Sequence, residues 1–414
     1  MKFDLKRIKF RLLLLFSVVG PGIIAANADN DAGGVATYSI VGAHFGTSML
    51  WVLFILTFLL AITQEMGVRI GLVTRQGLSG LIRENFGVKW TAFAILVMFI
   101  ANIGTIAANI AGIAAAFSIF GVSKYIVVPI AAVIIWLVLY KGSFKTTQKI
   151  FLIFSAFYLV YIINGFILQP DFGKAIMDMF TPTLEFSYPF LFTLIALIGT
   201  TLTPWGQFFI QSYVVDKGLQ IKDYKAEKTE VYFGAVMTNT VSFFIIIGCA
   251  ATLFANGIHI TDAADAAVAL KPIAGNLAQM LFAFGLLIAS MLGAFILPSA
   301  TAYSTCEAFG WESGFNTTWK TGKFFYTVIF LSIFGPAALV LIPGIDLIFV
   351  MIATQALNGI LLPIILIFVL KIINIKEVMG KYKNKLIENI ISWITISAII
   401  IISGFLVLSS ILGI

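Results

Sequence analysis

The sequence predicts an all-α integral membrane protein in which two of the helices are interrupted inside the bilayer. Of its 414 residues, 60% are hydrophobic and only 11% are charged, whereas soluble domains carry about 25% charged residues. About eleven apolar segments reach the roughly 17–25 residues that a membrane-spanning helix needs. Two of these segments contain polar residues together with glycine or proline near the middle. A soluble globular fold is therefore excluded.

The predicted spans, numbered 1 to 11, follow one another closely, and we treat the chain as one transmembrane domain, 1–414. The spans cover approximately residues 12–40, 47–70, 90–119, 124–141, 149–168, 187–215, 231–255, 274–306, 324–342, 345–370 and 389–412. Cys249 and Cys306 lie in apolar runs, and His44 and His259 lack zinc-ligand spacing. Neither a disulfide framework nor a thiolate or histidine metal site is predicted.

The basic residues predict the orientation in the membrane. All of the 26 Lys and Arg residues except Lys124, Lys174 and Lys271 fall in the N-terminal segment or in loops on the same side of the predicted spans. Basic loops stay on the cytoplasmic side, so we expect a cytoplasmic N-terminus and, with eleven spans, an extracellular C-terminus in the plasma membrane. The net charge of +7 thus indicates topology, and we expect no nucleic-acid partner.

Span 1 contains the first interruption, where Asp29, Asn30 and Asp31 are followed by Gly33 and Gly34. A carboxylate near the bilayer centre costs about 2.5–3.5 kcal/mol on insertion scales and needs a partner or water. Unwound backbone is tolerated there only where it lines a cavity or is buried in protein. A wet loop between two short segments is the alternative, but the apolar piece after the glycines is too short to span alone. The pattern favours a broken helix with a cation site.

Span 6 contains the second interruption. Thr200 and Thr203 supply hydroxyl groups, Pro204 lacks a backbone donor, and Gly206 weakens the helix before Gln207. Taken alone, this pattern is more typical of a structural kink than of a site, because threonines often bond to their own helix and proline kinks are common in membranes. The position of this segment relative to span 1 favours a site.

The two interruptions occupy matching positions, in the first span of the first five and the first span of the second five. Broken helices at corresponding places of two halves indicate an inverted-repeat transporter with its site near the bilayer midplane. We therefore divide the chain into repeat one (about 12–168), repeat two (about 187–370) and an appended span 11 (about 389–412).

Three stretches resemble the natural resistance-associated macrophage protein (Nramp) family of divalent-metal transporters. The family's first-helix motif Asp-Pro-Gly-Asn falls on residues 31–34, which read Asp-Ala-Gly-Gly. Residues 64–74 (QEMGVRIGLVT) resemble its second helix and the following loop, and residues 355–363 (QALNGILLP) match its Gln followed eight residues later by Pro. The resemblance covers nearly the whole chain. It implies a LeuT-type fold with 5+5 inverted repeats, and it implies that Gln355 helps to close over the metal.

The sequence departs from the family at the metal site itself. The family's helix six carries Ala-x-x-Met-Pro-His, whereas this chain has Thr203 in place of the Met and Trp205 in place of the His. Gly34 replaces the Asn of the first-helix motif. Thioethers select soft metals, and oxygen ligands suit Mg²⁺, Ca²⁺ or Mn²⁺. We also expect the smaller side chains at Gly34 and Thr203 to widen the pocket, so that it accepts a partly hydrated Mg²⁺. The pattern resembles the Nramp-related magnesium transporters.

The predicted metal site combines two carboxylates with neutral oxygens. Asp31 is the first candidate, and Asp29 adds a second charge. The neutral groups would bind the ion or hold its waters. The predicted set is Asp29, Asn30, Asp31, Thr200, Thr203, Gln207 and Gln355.

Proton coupling is not predicted. Family members that import metal with protons use titratable residues in helices three, six and nine, but span 3 has no Asp or Glu, span 6 has no His, and span 9 carries no charge. Asn102 and Asn109 in span 3 do not titrate. Because histidine and carboxylate relays move protons through membranes, we expect flux driven by gradient and voltage, although Asp29, Asp31 or Glu65 remain able to bind protons.

Two other transporter classes stay open. One is a proton-coupled Mn²⁺/Fe²⁺ Nramp symporter that tolerates the loss of Met. The other is a cation-coupled amino-acid symporter of the same fold, although Asp29 and Asp31 would repel a substrate carboxylate. An enzyme is not predicted, because the sequence contains no nucleophile–base pair, phosphate loop or cofactor motif. We expect no cofactor, a divalent cation and the lipid bilayer as the partners, and a monomer.

Overall fold

The computed structural model describes residues 29–141, 157–258, 260, 263–315 and 317–412, and these residues form helices joined by turns and loops. The α-helices are α1 (Ala32–Phe45), α2 (Leu50–Thr74), α3 (Leu78–Phe86), α4 (Val88–Ser118), α5 (Lys124–Lys141), α6 (Leu159–Ile167), α7 (Phe172–Met179), α8 (Tyr188–Thr201), α9 (Pro204–Asp216), α10 (Tyr224–Thr252), α11 (Ala263–Phe309), α12 (Lys323–Leu341), α13 (Leu347–Asn374), α14 (Lys376–Met379) and α15 (Leu386–Leu412).

Nine segments within the described residues are long and apolar enough to span a membrane. They correspond to predicted spans 2, 3, 4 and 6 to 11, and one of them consists of α8 and α9 together. Predicted spans 1 and 5 lie partly outside the described residues, which begin at residue 29 in span 1 and at residue 157 in span 5 and include α1 and α6. The all-helical class is confirmed for the part of the chain that the structure describes.

Two boundaries differ from the sequence prediction. Residues 78–86 were expected to be loop but form α3, because Leu78, Leu81 and Ile82 bury one face while Arg83 stays exposed. Helix α10 starts at Tyr224, seven residues before predicted span 7, since its first turns are polar and extend beyond the apolar stretch.

The second interruption is a complete break between α8 and α9. Leu202 leaves the helical conformation (φ −116°, ψ 65°), and Thr203 is extended (φ −68°, ψ 139°). Pro204 then starts α9 at a position where its missing N–H costs nothing. The predicted break in span 6 is thus confirmed, with Pro204 beginning a helix rather than kinking one.

Close backbone contacts place the two interruptions at the centre of the bundle. Gly199 of α8 lies against the backbone of α13, where an added Cβ would overlap Gln355 O and Gly359 N. Gly42 of α1 lies equally close to Ile246 O of α10. Small residues let membrane helices approach this closely, and here they allow α1 to pack against α10 and α8 to pack against α13.

Candidate metal centre

Helix α1 begins at Asp31, whose side chain caps it. Asp31 Oδ1 accepts a hydrogen bond from Gly34 N (3.0 Å), and Asp31 is the extended N-cap residue of the helix. Such a bond satisfies one of the free N–H groups of the first turn. The carboxylate is only 2% exposed and is fixed at the positive end of the helix dipole.

Asp29 joins the two interruptions. Its Oδ1 accepts a hydrogen bond from Thr203 Oγ1 (2.8 Å), and its main-chain oxygen accepts a longer one from Thr200 Oγ1 (3.4 Å). Gln64 Nε2 of α2 lies 3.4 Å from Asp29 Oδ2. The structure therefore brings Asp29 of the first interruption into contact with Thr200 and Thr203 of the second, and Asp31 follows Asp29 by two residues in the chain.

Among the described residues, no basic side chain forms an ion pair with either of these two carboxylates. The ion pairs among the described residues involve Glu65, Asp178 and Glu388, and neither Asp29 nor Asp31 takes part. Buried charges need a partner because desolvation costs several kcal/mol per ion. The described residues also contain no group of three His, Cys, Asp or Glu side chains suited to a metal. A bound cation would thus be held by two carboxylates and neutral groups.

Gln207 lies one helical turn beyond Thr203 and is 1% exposed. Its Oε1 has no hydrogen-bond partner among the described residues, and the same holds for Oε1 of Gln64. Such buried acceptors are uncommon in native structures and call for an explanation such as an ion or water. Both are suited to accept hydrogen bonds from water molecules bound to a cation.

Gln355 lies directly beside the first interruption, where a Cβ added to Gly33 would overlap its Nε2. Its Oε1 accepts a hydrogen bond from Asn358 Nδ2 (3.0 Å), so the amide nitrogen is the atom closest to Gly33. Gln355 Nε2 and Asn358 Oδ1 both lack partners in the described structure. Rotating both amides by 180° would pair these two atoms and turn Gln355 Oε1 towards the interruption.

Asn30 is directed towards α10 in this conformation. Its Nδ2 donates to Thr238 O (2.9 Å), its Oδ1 accepts from Ser242 Oγ (2.8 Å), and its main-chain oxygen accepts from Tyr158 OH (2.8 Å). The amide is therefore fully engaged with the protein. Its predicted role as a metal ligand stays a prediction that requires these bonds to open.

The expected widening at Gly34 is not found. A Cβ at this position would meet Asp29 O at 2.8 Å and Thr200 Oγ1 at 3.0 Å, so main chain and hydroxyl fill the space. The sequence prediction was wrong here because it assumed that the space of the missing side chain stays empty. The main chain of Asp29 and the hydroxyl group of Thr200 occupy that space. Trp205 is fully buried and packs against Phe209.

Glu65 is part of a separate network. Its Oε2 pairs with Arg69 Nη2 (3.1 Å), its Oε1 accepts from Tyr224 OH (2.5 Å), and Arg69 also donates to Asn384 Oδ1 (2.6 Å) and lies 3.4 Å from Glu388. These bonds connect α2 with α10 and α15. They indicate a structural role for Glu65.

Sequence reasoning missed Asn109 of α4. It was noted only as a residue that cannot titrate, yet its Nδ2 donates to Asp31 Oδ2 (2.7 Å). The signal available in the sequence was a polar amide inside an apolar spanning helix, which marks a functional position by default. No spacing rule connects it with Asp31, because the two residues meet only in the folded bundle.

Comparisons with known proteins place these features in context. The family model for natural resistance-associated macrophage protein-like (Nramp) sequences matches residues 22–409. The divalent metal cation transporter MntH of Yersinia pestis (strain Pestoides F) is 24% identical over 408 residues, covering 95% of each chain. MntH of Klebsiella pneumoniae (strain 342) is 23% identical over 407 residues, covering 96% of this chain and 95% of that one.

Solved structures show the same fold. The manganese transporter of Eremococcus coleocola, crystallised with an aromatic bis-isothiourea substituted compound, superposes with a TM-score of 0.76 at 17% identity, covering 95% of this chain and 85% of that one. The nucleobase-cation-symport-1 family transporter Mhp1 in a closed conformation gives a TM-score of 0.57 at 16% identity, covering 94% of this chain and 91% of that one.

Proposed function

This chain belongs to the Nramp family, and from that premise we propose that it moves divalent cations across the plasma membrane by alternating access, with Mg²⁺ preferred and Mn²⁺ also accepted. In this proposal Asp29 and Asp31 supply the charge, and Thr200, Thr203 and Gln207 supply neutral oxygens or hold ordered waters. Asn30 does so only when its hydrogen bonds to Thr238 and Ser242 open. Gln355 closes over the ion. The proposed cargo is the substrate, and no cofactor is needed.

One observation carries the preference for Mg²⁺. Thr203 stands where the family has Met, and its hydroxyl donates to Asp29 at 2.8 Å. An oxygen group thus takes the place of a thioether. Without a soft ligand, the site favours cations that prefer oxygen, such as Mg²⁺ and Mn²⁺.

Two buried acceptors support a partly hydrated ion. Mg²⁺ gives up its water reluctantly and is usually held by one or two carboxylates while keeping several waters. Water bound to a cation donates hydrogen bonds, and Gln64 Oε1 and Gln207 Oε1 have no partner in the described structure. Asp29 contacts Gln64 through the amide nitrogen, which leaves the amide oxygen available for such a water.

We further propose that transport is not coupled to protons. The buried polar side chains of α4 are amides and hydroxyls that bond to neutral partners or to Asp31: Asn102 donates to Thr301 Oγ1 (2.7 Å), and Asn358 of α13 donates to Thr105 Oγ1 (2.9 Å). Such groups hold their protons at physiological pH and do not form a titratable relay. Flux would then follow the ion gradient and the membrane potential.

The arrangement of basic residues supports an N-terminus inside and a C-terminus outside, and we propose a monomer as the transporting unit. A second function, proton-coupled uptake of Mn²⁺ or Fe²⁺, agrees equally well with the relatives named divalent metal cation transporter and with the structural likeness to a manganese transporter. A cation-coupled amino-acid symporter is less well supported, because two unpaired carboxylates would repel a substrate carboxylate.

The test is influx into proteoliposomes that contain a trapped Mg²⁺ dye in one preparation and a trapped pH dye in another. We expect saturable Mg²⁺ influx by the wild type, no associated acidification, and no influx by Asp31→Ala. Mn²⁺ influx with acidification but without Mg²⁺ influx would replace this proposal with the proton-coupled symporter.

A further inference from the structure

We propose that Asn109 is a positioning residue of the metal centre, which holds the Asp31 carboxylate in the geometry that the cation requires. This inference rests on the proposed function in one respect: it takes Asp31 as a ligand. It adds a residue on α4 that lies outside the two helix interruptions.

The Asn109 amide uses all of its hydrogen-bonding groups at this place. Its Nδ2 donates to Asp31 Oδ2 (2.7 Å) and to Thr105 O (2.8 Å), and its Oδ1 accepts from Ala32 N (3.1 Å). These three bonds use two N–H donors and one carbonyl acceptor, and the side-chain amide of Asn provides all three. The Asn109 bonds therefore fix the orientation of the amide.

The contacts of Asn109 reach both the predicted ligand and the backbone that follows it. Ala32 N is one of the N–H groups that the first turn of a helix leaves without an intrahelical partner. Asn109 satisfies that group and Asp31 Oδ2, while Gly34 N satisfies Asp31 Oδ1. The start of α1 is thus attached to α4 at two adjacent points, so the carboxylate cannot rotate without breaking one of them.

Packing keeps the amide in place. Asn109 is fully buried, and a Cβ added to Gly293 of α11 would overlap its amide group. Close by, Gly112 of α4 makes the same kind of close contact with Ala32 Cβ and Ser290 Oγ. The glycines allow α4, α11 and the start of α1 to approach so closely that the side chain has no room to swing away.

The chemistry of the amide suits a cation site. A neutral N–H donor stabilises a buried carboxylate without removing its charge, and hydrogen bonds to charged groups are the stronger ones. A basic residue in the same place would compete with the cation. Asn109 therefore stabilises and orients Asp31 while leaving its full negative charge for the ion.

The test is Mg²⁺ binding by isothermal titration calorimetry on the purified full chain, repeated with Mn²⁺, for the wild type, Asn109→Leu and Asp31→Ala. Asn102→Leu is the matched control. Asn102 is also fully buried on α4, but its side chain donates to Thr301 of α11 and not to a residue of α1. Thermal unfolding of each variant separates loss of fold from loss of affinity.

We expect Asn109→Leu to raise Kd by about 10- to 100-fold, the range that follows from losing a hydrogen bond to a charged group, while Asn102→Leu keeps the wild-type Kd even where its melting temperature falls equally. Gly293→Ala, which retains the amide but presses on it, is expected to raise Kd as well. Wild-type Kd values in Asn109→Leu and Gly293→Ala would overturn this inference. Tight binding by Asp31→Ala would instead overturn the proposed site, and binding of Mn²⁺ alone would overturn only the Mg²⁺ preference.

Discussion

The two helix interruptions use their capping residues in opposite ways. Asp31 caps α1 with Oδ1, which accepts from Gly34 N. Thr203 occupies the same N-cap position of α9 but makes no side-chain cap, and its hydroxyl donates to Asp29 Oδ1 instead. Threonine is a good N-cap residue, and giving up that bond costs roughly 0.5–2 kcal/mol. The second interruption thus lacks the stabilising side-chain cap of α9, and the Thr203 hydroxyl orients the Asp29 carboxylate instead.

This difference assigns separate tasks to the two interruptions. The first supplies all of the negative charge, since Asp29 and Asp31 both belong to it, and the second supplies neutral groups that touch Asp29. Loss of a carboxylate from the first interruption should therefore abolish transport, whereas changes in the second interruption should alter which ion is chosen.

Asp31→Asn is expected to abolish saturable Mg²⁺ influx into proteoliposomes. The substitution keeps the size and the capping ability of the side chain but removes one of the two charges available to the ion. Asp346→Asn is the matched control: Asp346 is exposed and accepts from Phe349 N at the start of α13, so the same chemical change there should leave influx intact. Equal influx in both variants would contradict the assignment of charge to the first interruption.

Gly33→Ala is expected to slow transport strongly, because its Cβ would overlap the Gln355 amide. Overpacking of this kind costs about 1–3 kcal/mol, and here the cost falls on the conformation in which α13 closes over the first interruption. Gly335→Ala on α12 serves as the control, since its Cβ would meet nothing within 4 Å. The measurement is the maximal rate of Mg²⁺ influx, and an unchanged rate in Gly33→Ala would count against Gln355 as the closing residue.

Thr203→Met is expected to shift selectivity towards softer metals, because a thioether replaces the hydroxyl beside Asp29. Competition of Cd²⁺ with Mg²⁺ influx measures the shift. Thr203→Val separates the two changes, since it removes the hydroxyl without adding sulfur and should weaken Mg²⁺ transport without improving Cd²⁺ transport. If Cd²⁺ competes equally in the wild type and in Thr203→Met, the second interruption does not set selectivity.

Asn30→Ala is expected to have the smallest effect on ion affinity. The Asn30 amide bonds to Thr238 and Ser242, and leaving these buried groups unpaired costs about 1–3 kcal/mol of stability. Thermal unfolding should therefore change more than the Kd for Mg²⁺. A large rise in Kd at unchanged stability would show that Asn30 turns towards the ion and acts as a ligand, as the sequence alone suggested.

Features that depend on residues adjacent in the chain could be predicted from the sequence. Contacts between residues on different helices could not. Polar residues followed by glycine at 29–34, and Thr203 followed by Pro204, are local signals, and among the described residues α1 and α9 begin where these signals occur. The contact of Asn109 with Asp31 and the filling of the space at Gly34 arise only when distant helices pack together. Asn30 was predicted to face the cation like Asp29 and Asp31, but its amide bonds to Thr238 O and Ser242 Oγ of α10.

The most direct test of the central claim, that an oxygen-only shell at the two interruptions selects Mg²⁺ along with Mn²⁺, is competition between these ions in one assay. Uptake of Mn²⁺ into proteoliposomes is measured at a fixed Mn²⁺ concentration while external Mg²⁺ is raised. We expect Mg²⁺ to inhibit Mn²⁺ uptake competitively, raising the KM for Mn²⁺ without lowering the maximal rate. Mn²⁺ uptake that stays constant in a large excess of Mg²⁺ would contradict that claim.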